Sequence, residues 1–197
     1  MADQEPTIGV LAIQGDVPEH VRSLQAAGAR AVPVKTRAAL EQVDGLVIPG
    51  GESTTVGMLL ERFDLMEPLR RRIQDGLPVF GTCTGVILLA NEIEGSTQPR
   101  IGTMDIAVRR NAYGRQVDSF EADVEAPALE TGAMHAVFIR APQITRAGTG
   151  VEVLARTEAG PVLVRQGRML GATFHPELTE DTQIHSLFVR MVREPGR

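Results

Sequence analysis

The 197-residue chain contains a single cysteine, Cys83, and four histidines. One thiol cannot close an intramolecular disulfide, which points to a reducing compartment, the cytoplasm. The histidines are scattered, with no His/Cys pair at zinc-ligand spacing, so no metal is expected. No apolar run approaches the roughly 20 residues that a membrane span needs. The opening residues, Met1-Ala2-Asp3-Gln4-Glu5-Pro6, are acidic and polar, unlike a signal peptide, and residues 1–6 read as a flexible N-terminus. A basic excess is missing too. Twenty Lys and Arg against 25 Asp and Glu leave a formal net charge of −5, which argues against nucleic acid or an anionic membrane as the main partner. What is present is an ordinary globular composition, 43% hydrophobic and 23% charged, with no linker, low-complexity segment or internal repeat. One domain over residues 1–197, with a sizeable core, is the economical reading.

Along the first half, short apolar runs alternate with helical patterns. Thr7–Ile13 reads as a strand buried on both faces, broken by Gln14-Gly15-Asp16. Val17–Ala27 follows as a helix with Val21, Leu24 and Ala27 on one stripe and Gly28 as its stop. Ala31–Val34 is a second strand, whose Pro33 places it at an edge or a strand end. A brief helix at 37–42 leads to a third strand, Gly45–Ile48. The β-α-β-α-β spacing predicts a parallel sheet with right-handed crossovers. Helices are expected over 56–62 and 67–74, then a strand from Pro78. After Gly95 come short strands at 106–108, 120–124, 136–139, 152–155, 161–164 and 169–174. Several lack room for helices between them, so this half should be partly antiparallel. An amphipathic helix over 181–192 closes the chain. The fold class is therefore α/β, with a mostly parallel central sheet plus antiparallel strands.

Chemistry concentrates at Gly81-Thr82-Cys83-Thr84-Gly85, between an apolar strand and an apolar helical pattern. This is the Gly-x-nucleophile-x-Gly elbow, with cysteine where one hydrolase family carries serine. Glycines flank the turn because strand, helix and nucleophile crowd together there. The sulfur lies at a helix N-terminus, where free N–H groups favour a thiolate. Taken alone, a single cysteine is usually a small buried hydrophobe. His175-Pro176-Glu177 follows the last strand. In an extended segment the glutamate at i+2 sits on the same side as the histidine and fixes its tautomer. Cysteine, histidine and an orienting acid complete a nucleophile–base–orienter set. By itself His-x-Glu is more often a surface loop. Pro49-Gly50-Gly51-Glu52-Ser53-Thr54-Thr55 lies at the carboxyl end of the third strand, where open α/β sheets carry ligands. It lacks the Walker A lysine, and no cofactor is predicted.

The elbow with His175-Pro176-Glu177 resembles the triad of class I glutamine amidotransferases. A narrower likeness runs from Thr7 to about Val192. Leu11-Ala12-Ile13-Gln14-Gly15, Pro49–Thr55, Arg110-Asn111 with Gly114–Glu121, Phe138–Pro142 and Phe174–Thr179 are similar to the glutaminase subunit of pyridoxal 5′-phosphate synthase, the PdxT family. The resemblance implies a flavodoxin-like, three-layer fold and an amidase that makes ammonia from L-glutamine. Its partner would be a synthase (lyase) subunit that condenses the ammonia with sugar phosphates. It implies Cys83 as nucleophile, His175 as proton shuttle and Glu177 as its orienter. It further implies an oxyanion hole from the backbone N–H groups of Gly51 and Thr84, and glutamine binding by Gly51, Glu52, Ser53, Arg110, Ile139 and Arg140. The family usually has alanine where this chain has Thr84, which bears on rate rather than reaction. Other readings are an amidotransferase of a different pathway, a redox or chaperone-like protein with its cysteine in an elbow, and a non-catalytic regulatory subunit. The Gly114–Glu121 stretch and the intact triad argue against them.

Overall fold

The computed structural model describes residues 5–110 and 119–194. Elements follow one another as β1 (Thr7–Leu11), α1 (Val17–Ala26), β2 (Arg30–Val34), α2 (Arg37–Leu40), β3 (Gly45–Ile48), α3 (Ser53–Arg62), α4 (Met66–Gln74), β4 (Val79–Thr82) and α5 (Thr84–Leu89). The second half holds β5 (Ala90–Ile93), β6 (Met104–Arg109), β7 (Ser119–Glu125), β8 (Ala133–Ile139), β9 (Gln143–Ala147), β10 (Glu152–Thr157), β11 (Gly160–Gln166) and β12 (Met169–Ala172). A 3₁₀ turn (Pro176–Leu178) and α6 (Gln183–Arg193) end it.

The central sheet runs β10-β11-β12-β4-β3-β1-β2. From β12 to β2 every neighbour is parallel, and β11 and β10 continue the sheet antiparallel. The doubly wound, mostly parallel arrangement is the expected one. Strand periodicity feeds two cores. In β3, Leu46 and Ile48 face one core and Val47 the other; in β4, Val79 and Phe80 divide likewise. One core takes α3, α4 and α5 through Leu60, Leu69 and Leu88, and the opposite one takes α1 and α6 through Leu24 and Phe188. Both faces are thus covered, which is why β3 and β4 are buried throughout. Pro33 does sit on the edge strand, β2. The other edge strand, β10, shifts register against β11 on both sides of Ala155. Two smaller sheets, β5-β6-β9 and the β7-β8 hairpin, supply the antiparallel texture expected of the second half.

Some boundaries differ from the sequence reading. The helix after the elbow stops at Leu89, and Ala90–Ile93 turns into a strand paired with β6. Val86–Leu89 is buried all round, so it has no polar face whose period could mark an end. Strand β9 was not expected: only Ile144 of Gln143–Ala147 is buried, so no apolar run announces it. Helix α3 begins at Ser53, three residues earlier than its apolar stripe, because the Glu52 side chain accepts from the N–H groups of Thr54 and Thr55. Residues 1–4 of the expected flexible N-terminus, Asn111 and the Gly114–Asp118 part of the family motif lie outside the described residues. Pro6 is buried, and its carbonyl accepts from the Arg30 N–H at 3.0 Å.

Candidate functional site

Registers bring the carboxyl ends of β3, β4 and β12 together, with Gly81 opposite Ile48 and Thr82 opposite Ala172. Cys83 follows directly and donates its N–H to the Ala172 carbonyl at 2.8 Å. Its backbone is left-handed, φ 48° and ψ −100°, a conformation costing an L-residue on the order of 1–3 kcal/mol. The flanking glycines are needed for space. A Cβ on Gly81 would stand 2.6 Å from the Gly85 carbonyl carbon, and one on Gly85 would stand 2.3 Å from the Ile48 carbonyl oxygen. The elbow is thus wedged against β3. Its strain presents the thiol at the mouth of a cleft, where Sγ lies 3.9 Å from the Ile139 carbonyl.

His175 leaves β12 with its N–H donated to the Val137 carbonyl of β8 at 2.9 Å. Its Nδ1 meets Glu177 Oε1 at 2.7 Å, as expected, but not through an extended segment. Pro176–Leu178 is a 3₁₀ turn that folds the glutamate back behind the ring. Proline at its first position, with φ already near the helical value, favours that turn over a strand. Burial opposes charging His175, but its contacts with the Cys83 sulfur and the Glu177 carboxylate prevail and hold its pKa up at about 10. An imidazolium in that position is a proton donor in place. Glu177 is itself pushed up, because burial outweighs the return from His175. Asp16 Oδ2, 3.9 Å from His175 Nδ1, adds a second acid. Asp16, His175 and Glu177 form the one metal-sized ligand group found among the described residues. Nδ1 of His175 is already taken by Glu177, so these acids serve the imidazolium.

The cleft, about 440 Å³, is lined by every predicted site residue except Glu177, which sits behind His175. Gln14, Gly15, Asp16 and Ile87 line it as well and were not among the predicted site residues. Gln14-Gly15-Asp16 breaks the first strand at the carboxyl end of the sheet, and that position was the available signal. The glycine pair is tightly held. A Cβ on Gly15 would lie 2.0 Å from the Gly50 carbonyl oxygen, and one on Gly50 would lie 2.6 Å from His175 Cε1. Gln14 Oε1 accepts from the Glu52 N–H at 3.0 Å, and Thr84 Oγ1 donates to the Gly51 carbonyl at 2.5 Å. Glu52 accepts the Thr54 and Thr55 N–H groups at 3.1 and 2.7 Å. Its modest burial raises its pKa, but these capping bonds win and bring it down to about 2. Arg110 donates to Glu52 Oε1 at 3.3 Å, to Thr54 Oγ1 at 3.0 Å and to Gln98 Oε1. Across the cleft, Arg140 is exposed and left-handed, φ 43°, directly after Ile139. Carboxylate and guanidinium groups thus frame the cysteine, a lining matched to a small zwitterion.

Fold and cleft define the class: an α/β protein with a cysteine, a histidine and a glutamate gathered where the carboxyl ends of its central strands open into a cleft. Residues 10–194 match the SNO glutamine amidotransferase family, and the chain belongs to it. It is 58% identical to the pyridoxal 5′-phosphate synthase subunit PdxT of Frankia casuarinae, over 97% of each chain. The PdxT subunit of Pelotomaculum thermopropionicum is 57% identical, over 96% of this chain and 97% of that one. Among solved structures, a crystal structure of a glutamine amidotransferase aligns with TM-score 0.89 and 49% identity, covering 94% of this chain and 98% of that one.

Proposed function

We propose that this chain is the glutaminase subunit of a pyridoxal 5′-phosphate synthase: it hydrolyses L-glutamine to L-glutamate and ammonia, and passes the ammonia to the synthase (lyase) subunit. The observation that carries this reading is the Cys83 thiol in its strained elbow, faced by a His175 ring that Glu177 holds at 2.7 Å. Near-full-length likeness to PdxT subunits of pyridoxal 5′-phosphate synthases supports the partner in this reading. Cys83 Sγ attacks the side-chain amide carbon of glutamine, and the oxyanion is met by the N–H groups of Gly51 and Thr84. His175 gives its proton to the leaving ammonia. The same ring then takes a proton from the water that cleaves the thioester, and Glu177 stabilises the imidazolium each time it forms. Gly51, Glu52, Ser53, Arg110, Ile139 and Arg140 hold the substrate's amino acid end. Neither nucleic acid nor membrane is a partner, and the subunit works in the cytoplasm.

Glutamate release from glutamine, measured with and without the synthase, tests this reading. Cys83→Ala is expected to abolish release with the fold intact. Glu177→Gln is expected to lower kcat by about 100-fold or more while KM changes little, since its role is in the transition state. Substantial turnover by Cys83→Ala overturns the covalent scheme.

A further inference from the structure

Behind the triad lies a buried polar chain that the hydrolysis scheme leaves unused. His20 on α1 and His185 on α6 are both 0% exposed. His185 Nε2 lies 3.0 Å from His20 Nδ1. On the other side of its ring, His20 Nε2 lies 3.1 Å from Thr82 Oγ1 and 3.4 Å from Glu177 Oε2. Thr82 is the residue before the nucleophile. Glu177 Oε1 is engaged by His175 Nδ1, whereas its buried Oε2 has no hydrogen-bond partner of good geometry, and the His20 ring is the polar group that faces it.

Packing alone does not call for these histidines. Around them the Phe80 ring lies edge-on to both imidazoles, with Phe188 beyond it, and Leu24 is buried on the same side. A leucine would fill such a place without the cost of burying ring nitrogens. Burial pushes both imidazoles below their ordinary range, His185 to about 4, and the neighbouring His185 and His175 push His20 down further. Each ring is therefore neutral, with one N–H and one lone pair. If His20 held its proton on Nδ1, its Nε2 lone pair would face the Glu177 carboxylate. The opposite tautomer removes that repulsion: His185 Nε2–H donates to His20 Nδ1, and His20 Nε2–H points at Thr82 and Glu177. What remains is an unpartnered lone pair on His185 Nδ1, and that atom is indeed buried without a partner. An orphaned acceptor is better tolerated than an orphaned N–H.

We propose that His20 is a positioning residue for glutamine hydrolysis: its Nε2–H, set by His185, holds the outer edge of Glu177 so that the inner oxygen stays on His175. The assignment rests on the glutaminase reading above. A neutral donor suits the task. A lysine or arginine there would draw the carboxylate's charge away from the imidazolium, whereas a neutral N–H fixes the group and leaves that charge available.

The test uses the complex with the synthase, with glutamine-driven and ammonium-driven product formation measured side by side. His20→Leu is expected to lower the glutamine-driven kcat about 10- to 100-fold, the range typical of lost orienting contacts, with KM changed less than about twofold. Ammonium-driven synthesis should be unaffected, which certifies the complex. His20→Gln, which keeps an amide N–H near the Nε2 position, should recover most of the loss. His185→Leu, which frees the His20 tautomer, should lose kcat severalfold, and it serves if His20→Leu does not fold. Wild-type kcat in folded His20→Leu or His185→Leu, or a His20→Gln variant as impaired as His20→Leu, overturns the assignment. Glutamine turnover by Cys83→Ala in the same assay would instead overturn the glutaminase reading itself.

Discussion

At the scale of single residues, Thr84 stands where the resemblance predicts alanine, and the structure gives the extra atoms a role. Its hydroxyl holds the Gly51 carbonyl at 2.5 Å while Gln14 holds the Glu52 N–H at 3.0 Å, so the peptide between residues 51 and 52 is pinned at both ends. That peptide adjoins the proposed oxyanion donor of Gly51. Thr84→Ala removes one hydrogen bond, about 1 kcal/mol net, or about a fivefold change in the balance between loop conformers. If the pinned arrangement is the resting one of the isolated chain and the synthase subunit resets it, Thr84→Ala should release glutamate severalfold faster in isolation, with little change in the complex. Equal rates in the two isolated proteins would dismiss the latch. Cys83 and His175 were legible as residues because their motifs carry fixed spacing. The Glu177 contact was reached through the wrong backbone, an extended segment in place of a 3₁₀ turn, since i+2 and a tight turn both return the carboxylate to its histidine. His20 was not legible. On α1 it falls beside Val17, Val21 and Leu24, and a histidine on an apolar stripe gives no sign of what it will meet across the fold.

At the scale of elements, the β7-β8 hairpin matters more than its marginal position suggests. It carries Ile139 into the cleft, and its Val137 carbonyl takes the His175 N–H. Phe120 stacks on Phe138 with ring centroids 4.5 Å apart, fixing one face. On the other, His135 bridges Asp123 at 2.9 Å and Glu121 at 2.8 Å. Those two hydrogen bonds, Asp123 first, raise the His135 pKa above its ordinary 6.5. A raised folded-state value means the contribution is complete below about pH 6.5 and is lost as pH climbs through the folded value. Amide-exchange protection in the hairpin, corrected for intrinsic rates, is therefore expected to fall as pH rises through a window that opens at about 6.5. In His135→Gln it should be flat across that window, and an equal fall in the variant would refute the bridge. Among elements, long amphipathic helices such as α6 were readable from period alone. Strand β9 and the short α5 were not, because one lacks apolar content and the other lacks a polar face.

At the scale of the whole molecule, the parallel pairing of the first strands followed from β-α-β spacing, and with it the end of the sheet where the cleft lies; the strand order itself did not. The smaller sheets did not follow, since antiparallel partners are chosen by packing over long separations. If the chain feeds ammonia to a synthase, a complex carrying Cys83→Ala should make no product from glutamine and regain it with ammonium salts. Failure of ammonium to restore synthesis would count against ammonia as the shared intermediate. The two ends of the central sheet carry a further consequence. Pro33 removes an N–H from β2, and the register shifts around Ala155 disturb β10, so neither margin offers the flat, regular ladder on which a foreign strand polymerises. Strand-by-strand aggregation is thereby discouraged in a protein whose central sheet is seven strands wide. Association is left to the loops and helices, where a contact can be made and released.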